Sequence, residues 1–554
     1  MDFTGTGKRQ WRAFWIGFVL LAVGAASFFY WGGKKEVWFC DEIYTYESSN
    51  GFEQDWPAVY TGEWMTGADV EAFFAADSEE LNLENIMVLL YNDHVPLYFW
   101  LFRIVSFFFF KGSGSIWIGL WINLVFYLLF LGLGYGVFRR LTGRDFLSGS
   151  LMFFTCVVNR LMIEQATVLR MYMMLLLAEG LLLLCALATL RDARQGIMSP
   201  WIFLGLYGSS LAGFLTHYDY WIFYAATAAL FCGWLLLSAL RRCGKRFWSA
   251  WEFRHVAAWV GNFLLSILTT IYVFPYCRWN LNKGKGQTAL YSLFDFSAEK
   301  WEQILWGYQR MSFSLFGEKV PAALGLSLLF GCIGGGIFVL FRRKENLQAA
   351  GLALVVLAAQ FYQLIVCFTM PDAWEERYLW CVYTIIALCA AWGGVLVLGE
   401  LIPRGKIQGR QRLAGYIGAC VLGALVLAGE LLVIDGGRGV AYLFHPEKDV
   451  ALLKEHSGIP WVVYGPTVGV YSYYDWIIPE QICFLTQEHT QADREAAQKL
   501  KEGEFVLYLY EGYLSEALAF FERETGRTLS ASHLTRSTNL DVYLVESGQE
   551  STGE

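Results

Sequence analysis

The sequence predicts a polytopic α-helical membrane protein of about eleven transmembrane helices, followed by a small C-terminal α/β domain. Of the 554 residues, 56% are hydrophobic and only 17% are charged, whereas soluble domains carry about 25% charged residues. Apolar stretches of about 18–24 residues, the length that crosses a bilayer, recur along the chain. The composition excludes a soluble enzyme and a disulfide scaffold. The net charge of −8 offers no basic field for a nucleic acid.

Eleven apolar segments are interpreted as spans. In order they cover roughly residues 13–31, 116–138, 146–163, 172–190, 200–216, 219–240, 256–276, 321–341, 347–369, 378–399 and 413–434. The first is not a cleaved signal peptide, because it is long and no small-residue cleavage site follows it.

The distribution of basic residues predicts the orientation of these spans. Every second loop is rich in arginine and lysine, beginning with Lys8, Arg9 and Arg12 and continuing with Arg139, Arg140 and Arg144. Positive charge marks the cytoplasmic side. We therefore expect a multi-pass protein of the cell membrane with a cytoplasmic N-terminus and an extracytoplasmic C-terminal domain.

The apolar segment 95–110 is too short for a span and carries Arg103 in its middle. Counting it as a span would place every later arginine cluster outside. We therefore predict an amphipathic or re-entrant helix at the outer surface.

The first outer loop, residues 32–115, is long and acidic, with fourteen acidic residues against four basic ones. Long loops are usually functional or disordered. Its aromatic residues, such as Trp38, Trp56 and Phe74, favour folding onto the membrane surface.

Other outer-facing ends of the predicted spans are polar as well. They are residues 159–172, 216–220 and 370–378, which contain Arg170, His217 and Arg377. Ionisable groups at membrane depth are costly and are candidates for function. Taken singly, each has an ordinary structural explanation, such as a snorkelling arginine or a local ion pair. Their clustering on one side of the membrane favours a functional site there.

Residues 1–440 form the predicted transmembrane module, and residues 441–554 the C-terminal domain. In the latter, runs at 461–465, 482–485, 504–510 and 541–547 predict strands, with helical patterns at 447–456, 491–502 and 512–526 between them. This alternation is typical of an α/β module. No phosphate-binding glycine loop is present in it.

The order of these motifs resembles the GT-C superfold of integral-membrane glycosyltransferases. The motifs are the pair Asp41-Glu42 after one span, His-x-Pro-Leu-Tyr at residues 94–98, Arg-Met-Tyr at 170–172 and Glu-Arg-Tyr at 376–378. They are most similar to the branch of protein O-mannosyltransferases and aminoarabinose transferases. The resemblance covers residues 13–240 well and the later spans up to Arg377 moderately.

The resemblance implies transfer of a sugar from a polyprenyl-phosphate donor to an acceptor hydroxyl on the outer face of the membrane, with inversion. Asp41 is then expected to be the general base, with Glu42 orienting it. Arg170, Arg377 and Arg103 would neutralise the donor phosphate. The remaining candidates would line the substrate pocket: His94, Tyr98, Tyr172, His217 and Glu376.

Asp41, Glu42 and His94 also offer oxygen and nitrogen ligands that suit Mg²⁺ or Mn²⁺, so a divalent cation stays open as a cofactor. The acceptor stays open between a lipid, a wall polymer and a protein.

The main alternative is a polytopic transporter or flippase for a lipid or saccharide. Transporters tend to show internal repeats with helices broken at the bilayer midplane, and no such repeat is evident. A membrane acyltransferase and a noncatalytic scaffold for a cell-envelope complex are further alternatives.

Overall fold

A computed structural model describes residues 3–35, 38–51, 62–67, 69, 74–75, 81–90, 94–279, 285–369, 375–401, 447–465, 480–537 and 540–548. The first half of the chain begins with a long helix, α1, and then alternates short helices with membrane-length ones. The bounds are α1 Phe3–Gly32, α2 Cys40–Asn50, α3 Leu83–Leu89, α4 Leu97–Phe109, α5 Trp117–Thr142, α6 Asp145–Met152, α7 Arg160–Thr167, α8 Tyr172–Gln195, α9 Pro200–Phe214 and α10 Asp219–Cys243.

The second half of the transmembrane module adds six helices and a short 3₁₀ turn at Glu376–Leu379. The helix bounds are α11 Trp251–Val273, α12 Lys285–Ser292, α13 Ala298–Phe316, α14 Ala322–Arg342, α15 Asn346–Thr369 and α16 Trp380–Leu401.

Within the described residues, eight helices are long and apolar enough to cross a membrane: α1, α5, α8, α10, α11, α14, α15 and α16. They correspond to eight of the eleven predicted spans. The predicted span 146–163 is instead a bent pair, α6 and α7, with a 63° break. The predicted span 200–216 corresponds to α9, of 15 residues. The last, 413–434, lies outside the described residues.

The bend between α6 and α7 has a local cause. Residues Phe153–Val157 form a π-helical turn, and such turns commonly interrupt the hydrogen-bond ladder of a helix. Asn159 then starts α7 by accepting a hydrogen bond from the Leu161 amide at 3.0 Å. The break delivers α7 and the turn after it to the same end of the bundle as α2.

The segment predicted as a surface helix is α4, 13 residues long. Its buried face consists of Tyr98, Phe99, Phe102, Arg103 and Ser106. It is too short to cross a bilayer, and it packs against α2 and α5.

The C-terminal domain is built on a six-stranded mixed sheet. Its strands and helices are α17 Glu447–Glu455, β2 Trp461–Tyr464, β3 Gln481–Leu485, α18 Gln491–Ala497, β4 Phe505–Tyr510, α19 Leu514–Thr525, β5 Leu529–Ser537 and β6 Leu540–Ser547. The sixth strand is β1, Trp64–Thr66, and the strand order is β1-β3-β2-β4-β6-β5. Strand β2 pairs in parallel with β3 and β4, and the other pairs are antiparallel.

The edge strand β1, Trp64–Thr66, comes from the first outer loop and pairs with β3. The Gly62 amide donates to the Phe484 carbonyl at 3.3 Å, and Trp64 Nε1 donates to the Ala496 carbonyl at 3.3 Å. The loop and the C-terminal domain therefore share one sheet.

The two faces of this sheet pack differently because side chains alternate along a strand. Val462, Tyr464 and Cys483 belong to a core with α18 and α19. Trp461, Val463 and Ile482 belong to the same apolar cluster as the membrane helices.

Candidate active site

The site is assembled at one end of the helix bundle from four segments: the start of α2, the residues before α4, the turn before α8, and the 3₁₀ turn before α16. All four segments lie in or just before the first turn of a helix.

The start of α2 presents the two adjacent acidic residues to opposite surroundings. Asp41 and Glu42 lie in the first turn, where the helix dipole favours negative charge. The Asp41 side chain stays 21% exposed, whereas Glu42 is fully buried. The neighbouring carboxylates therefore have different roles.

Asp41 faces Arg377. One carboxylate oxygen, Oδ2, lies 2.9 Å from Arg377 Nη2. The Asp41 backbone carbonyl accepts a hydrogen bond from Arg170 Nη1 at 3.0 Å. Asp41 thus contacts one guanidinium through its partly exposed carboxylate and a second through its backbone carbonyl.

Both carboxylate oxygens of Glu42 form contacts within the protein. One oxygen accepts from the Leu169 amide at 2.7 Å and lies 2.9 Å from Lys35 Nζ. The other accepts from the Phe39 amide at 2.7 Å. The side chain joins the end of α1, the start of α2 and the turn before α8. It fixes Asp41 relative to Arg170 through the backbone.

Arg170 lies in the turn before α8 and is 3% exposed. Besides Asp41, its Nη1 donates to Thr45 Oγ1 at 3.1 Å, and its Nη2 lies 3.0 Å from His94 Nε2. Because a guanidinium only donates, His94 Nε2 is the acceptor in this bond. The His94 ring stacks on Phe99, with ring centroids 5.6 Å apart.

Arg377 is held by two carboxylates and two rings. Its Nη1 donates to Glu375 at 2.8 Å, and its guanidinium lies over Phe39 at 5.2 Å and Tyr378 at 5.4 Å. The pKa of Glu375 is raised, mainly by burial. The nearby Arg377 opposes this shift, and Asp41 adds to it.

Both site arginines carry a buried donor with no acceptor. Within the part of the chain that the structure describes, Nε of Arg170 and Nε of Arg377 have no hydrogen-bond partner. A buried N–H without an acceptor is costly, and guanidinium groups match phosphate oxygens. This electrostatic setting suits an anion.

Tyr98 supports the turn before α8. It is fully buried and donates to Asn123 Oδ1 at 3.3 Å. Asn123 Nδ2 in turn donates to the Val168 carbonyl at 2.5 Å. Tyr98 therefore acts on Arg170 through α5 rather than through direct contact.

Tyr172 and His217 form an aromatic wall beside Arg377. Their ring centroids lie 6.0 Å apart, and His217 lies equally far from Tyr378. His217 Nδ1 accepts from the Asp219 amide at 3.1 Å. The pKa of His217 is lowered, mainly because the ring is buried. Asp219 opposes this shift, and Arg170 and Arg377 add to it.

Two predicted site residues are directed elsewhere. Arg103 donates to the carbonyls of Leu81 at 3.1 Å and Asn50 at 3.5 Å. Asn50 lies at the opposite end of α2 from Asp41, about 14 Å along the helix. The Glu376 carboxylate lies 2.5 Å from Arg310 Nη2 and accepts a hydrogen bond from Ser314. Both partners lie on α13.

Three side chains of the site have no role in the sequence prediction. Lys35 is one of the four basic residues of the first outer loop, and Thr45 belongs to no motif. The sequence offers no signal that distinguishes Glu375 from its neighbour Glu376 as the partner of Arg377.

The three candidate metal ligands do not form a common set. Asp41 pairs with Arg377, Glu42 with Lys35, and His94 with Arg170. Within the described ranges, no group of three or more His, Cys, Asp or Glu residues could hold a metal ion. The placement of these side chains therefore does not fit a shared cation.

No protein-family profile matches the sequence, and no curated protein matches it. The fold resembles the crystal structure of ArnT from Cupriavidus metallidurans bound to undecaprenyl phosphate. The TM-score is 0.51 and the identity 14%, over 95% of this chain and 97% of that one. The predicted GT-C architecture, a polytopic helical membrane protein with a small C-terminal sheet domain, is thus confirmed at the level of fold.

Proposed function

We propose that this chain is a membrane glycosyltransferase that takes its sugar from a polyprenyl-phosphate-linked donor. The observation that carries the proposal is the pairing of partly exposed Asp41 with Arg377, next to Arg170. The shared fold adds support, since the structure of the similar ArnT contains undecaprenyl phosphate.

The reaction assigned to these groups is an inverting displacement. Asp41 accepts the proton of the acceptor hydroxyl, and the oxygen attacks the anomeric carbon. The bond from that carbon to the phosphate oxygen breaks, and the phosphate keeps the electron pair. Arg377 and Arg170 stabilise the added negative charge. We place this chemistry on the outer face of the membrane.

Charge balance explains why the base and the phosphate ligand touch each other. Before the donor binds, Asp41 neutralises the buried Arg377. When a phosphate takes over part of that guanidinium, the Asp41 carboxylate is released from the ion pair and can accept a hydrogen bond from the acceptor hydroxyl. Glu375 keeps Arg377 in place during the exchange.

The test uses purified full-length protein in nanodiscs with polyprenyl-phosphate sugars as donors and envelope lipids as acceptors. Asp41→Asn should lower transfer by a factor of about 10²–10⁴, the usual contribution of a general base, and should leave the polyprenyl-phosphate affinity within a few-fold of wild type. Arg377→Gln should weaken that affinity.

Thr66→Ala, in the exposed edge strand of the same loop, is the matched control and should retain activity. Undiminished transfer by Asp41→Asn would refute the catalytic assignment. Movement of intact donor across the bilayer without transfer would favour a flippase.

A further inference from the structure

A cavity lies in the membrane-spanning part of the chain, at the end opposite the site. Its volume is about 480 Å³, within the range of ligand pockets. Four helices line it: α5, α8, α15 and α16. It shares no residue with the site at the other end of these helices.

The position of this cavity follows from α8. Tyr172, at the start of α8, belongs to the site, and Gly180 and Arg191 line the two ends of the cavity. At 1.5 Å per residue, the cavity begins about 12 Å below Tyr172 and extends about 16 Å further. That length matches one leaflet of hydrocarbon, about 15 Å.

The chemistry of the cavity wall changes along its length. The deep part is apolar, with Phe130, Leu183, Val355 and Ile385 among the lining residues. The polar lining groups at its mouth are Gln348 and Arg191. The Arg191 side chain is 59% exposed, and its Nη2 lies 3.2 Å from Oδ1 of the buried Asp192. An apolar channel with a cation at its mouth is complementary to an acyl chain with an anionic head group.

Three glycines on three different helices line the cavity: Gly134 on α5, Gly180 on α8 and Gly351 on α15. A Cβ at Gly180 would be accommodated without a clash, because its nearest neighbour, Phe130, would lie at an ordinary contact distance of 3.5 Å. At Gly134 and Gly351 it would meet Met152 at 2.5 Å and Leu187 at 2.8 Å. Gly180 is therefore the position from which the cavity can be filled.

We propose that this cavity binds one acyl chain of an anionic glycerophospholipid from the leaflet opposite the site, with the lipid phosphate at Arg191. The site is separate from that of the polyprenyl-linked donor. A bound chain would complete the packing between the α5–α8 pair and the α15–α16 pair, because protein interiors are otherwise close-packed.

The test uses the full-length protein in nanodiscs that contain phosphatidylglycerol with a photoreactive diazirine in its acyl chain. Mass spectrometry maps the adducts after illumination. In the wild type we expect adducts on the cavity walls, at Leu183, Leu187 or Val355. Gly180→Phe should remove them.

The matched control is Gly132→Phe on α5, next in sequence to the lining residue Leu133 but not itself part of the cavity wall. Gly132 is exposed, and a Cβ there meets nothing within 4 Å. This variant should keep the adducts on the cavity walls. Arg191→Gln should lower labelling by phosphatidylglycerol about fivefold, the contribution of one basic residue toward anionic lipid, and should leave labelling by a zwitterionic probe unchanged.

The proposal is overturned if Gly180→Phe labels the cavity walls like the wild type. It is also overturned if a polyprenyl lipid, but not phosphatidylglycerol, protects those walls. If Gly180→Phe does not fold, Gly180→Leu gives a smaller plug, and the Arg191→Gln comparison tests the mouth without changing the walls.

Discussion

The adjacent carboxylates Asp41 and Glu42 give a sharp prediction, because the same chemical change should have opposite effects at the two positions. Glu42→Gln should destabilise the protein strongly. Asp41→Asn should leave its stability close to wild type while stopping transfer. The two variants therefore distinguish a residue that stabilises the fold from one that takes part in the reaction.

The magnitude follows from what each substitution leaves behind. The side chains of Glu42 and Lys35 are both fully buried and 2.9 Å apart, so Glu42→Gln removes a buried negative charge that lies in direct contact with the Lys35 ammonium. Breaking a buried pair in this way costs about 3–5 kcal/mol. Asp41 is 21% exposed, and Arg377 keeps Glu375 at 2.8 Å. Asp41→Asn should therefore cost about 1 kcal/mol.

The protein carries its own reporters for this measurement. Cys156, Cys367 and Cys381 are buried and unpaired, so a thiol-reactive fluorophore reports unfolding as they become exposed. Glu42→Gln should lower the apparent Tm by several degrees more than Asp41→Asn does. Adding Lys35→Met to Glu42→Gln should recover much of the loss, because both members of the buried ion pair are then replaced by uncharged side chains. Equal stability of Glu42→Gln and wild type would refute the argument.

Three further predictions concern the surroundings of the site. Arg310→Ala should raise the KM for the donor about tenfold with a smaller change in kcat, because Arg310 holds Glu376 and so directs Arg377. An unchanged KM would contradict this role of Arg310. Arg523→Ala, which breaks an exposed pair with Glu524, is the control. The pKa of His217 is lowered by burial, and the charged groups that face it include Asp219, Arg170 and Arg377. The unfolded chain therefore takes up the proton first, and stability should fall as pH drops below about 6.5. His217→Gln should lose less stability in this pH range, as measured by thermal unfolding from pH 7.5 to 5. Finally, a cysteine at Glu511 should react with an impermeant reagent on intact cells and one at Lys245 should not; the reverse pattern would invert the predicted orientation.

The sequence was most informative where structure is local. Hydropathy located the membrane helices because a span is decided by its own twenty residues. The short apolar runs WVVY at 461–464 and FVLYLY at 505–510 likewise predicted β2 and β4. Strands β1 and β5 were not predicted. The first has three residues, and the second, LSASHLTRS, is a largely polar edge strand.

The site was predicted in its residues but not in its pairing. The motifs identified Asp41, Arg170 and Arg377, and these three meet in the fold. The direction of a side chain in a short turn depends on packing from distant elements, however. The 3₁₀ turn sends Glu376 toward α13 and Arg377 toward α2, and no local pattern specifies this. The same holds for Lys35, whose partner Glu42 is known only from the fold.

The edge strand β1 has a consequence for how the protein is made. About 400 residues separate Thr66 from its partner Gln481 in β3. At about 5–20 residues per second, β1 leaves the ribosome some 20–80 seconds before the strand it pairs with. During that interval the loop that carries Asp41 exposes an unpaired strand edge, which is prone to pair with the wrong partner. Assembly of this protein thus depends on synthesis of its C-terminal domain, and a C-terminal truncation should harm the biogenesis of the distant first loop.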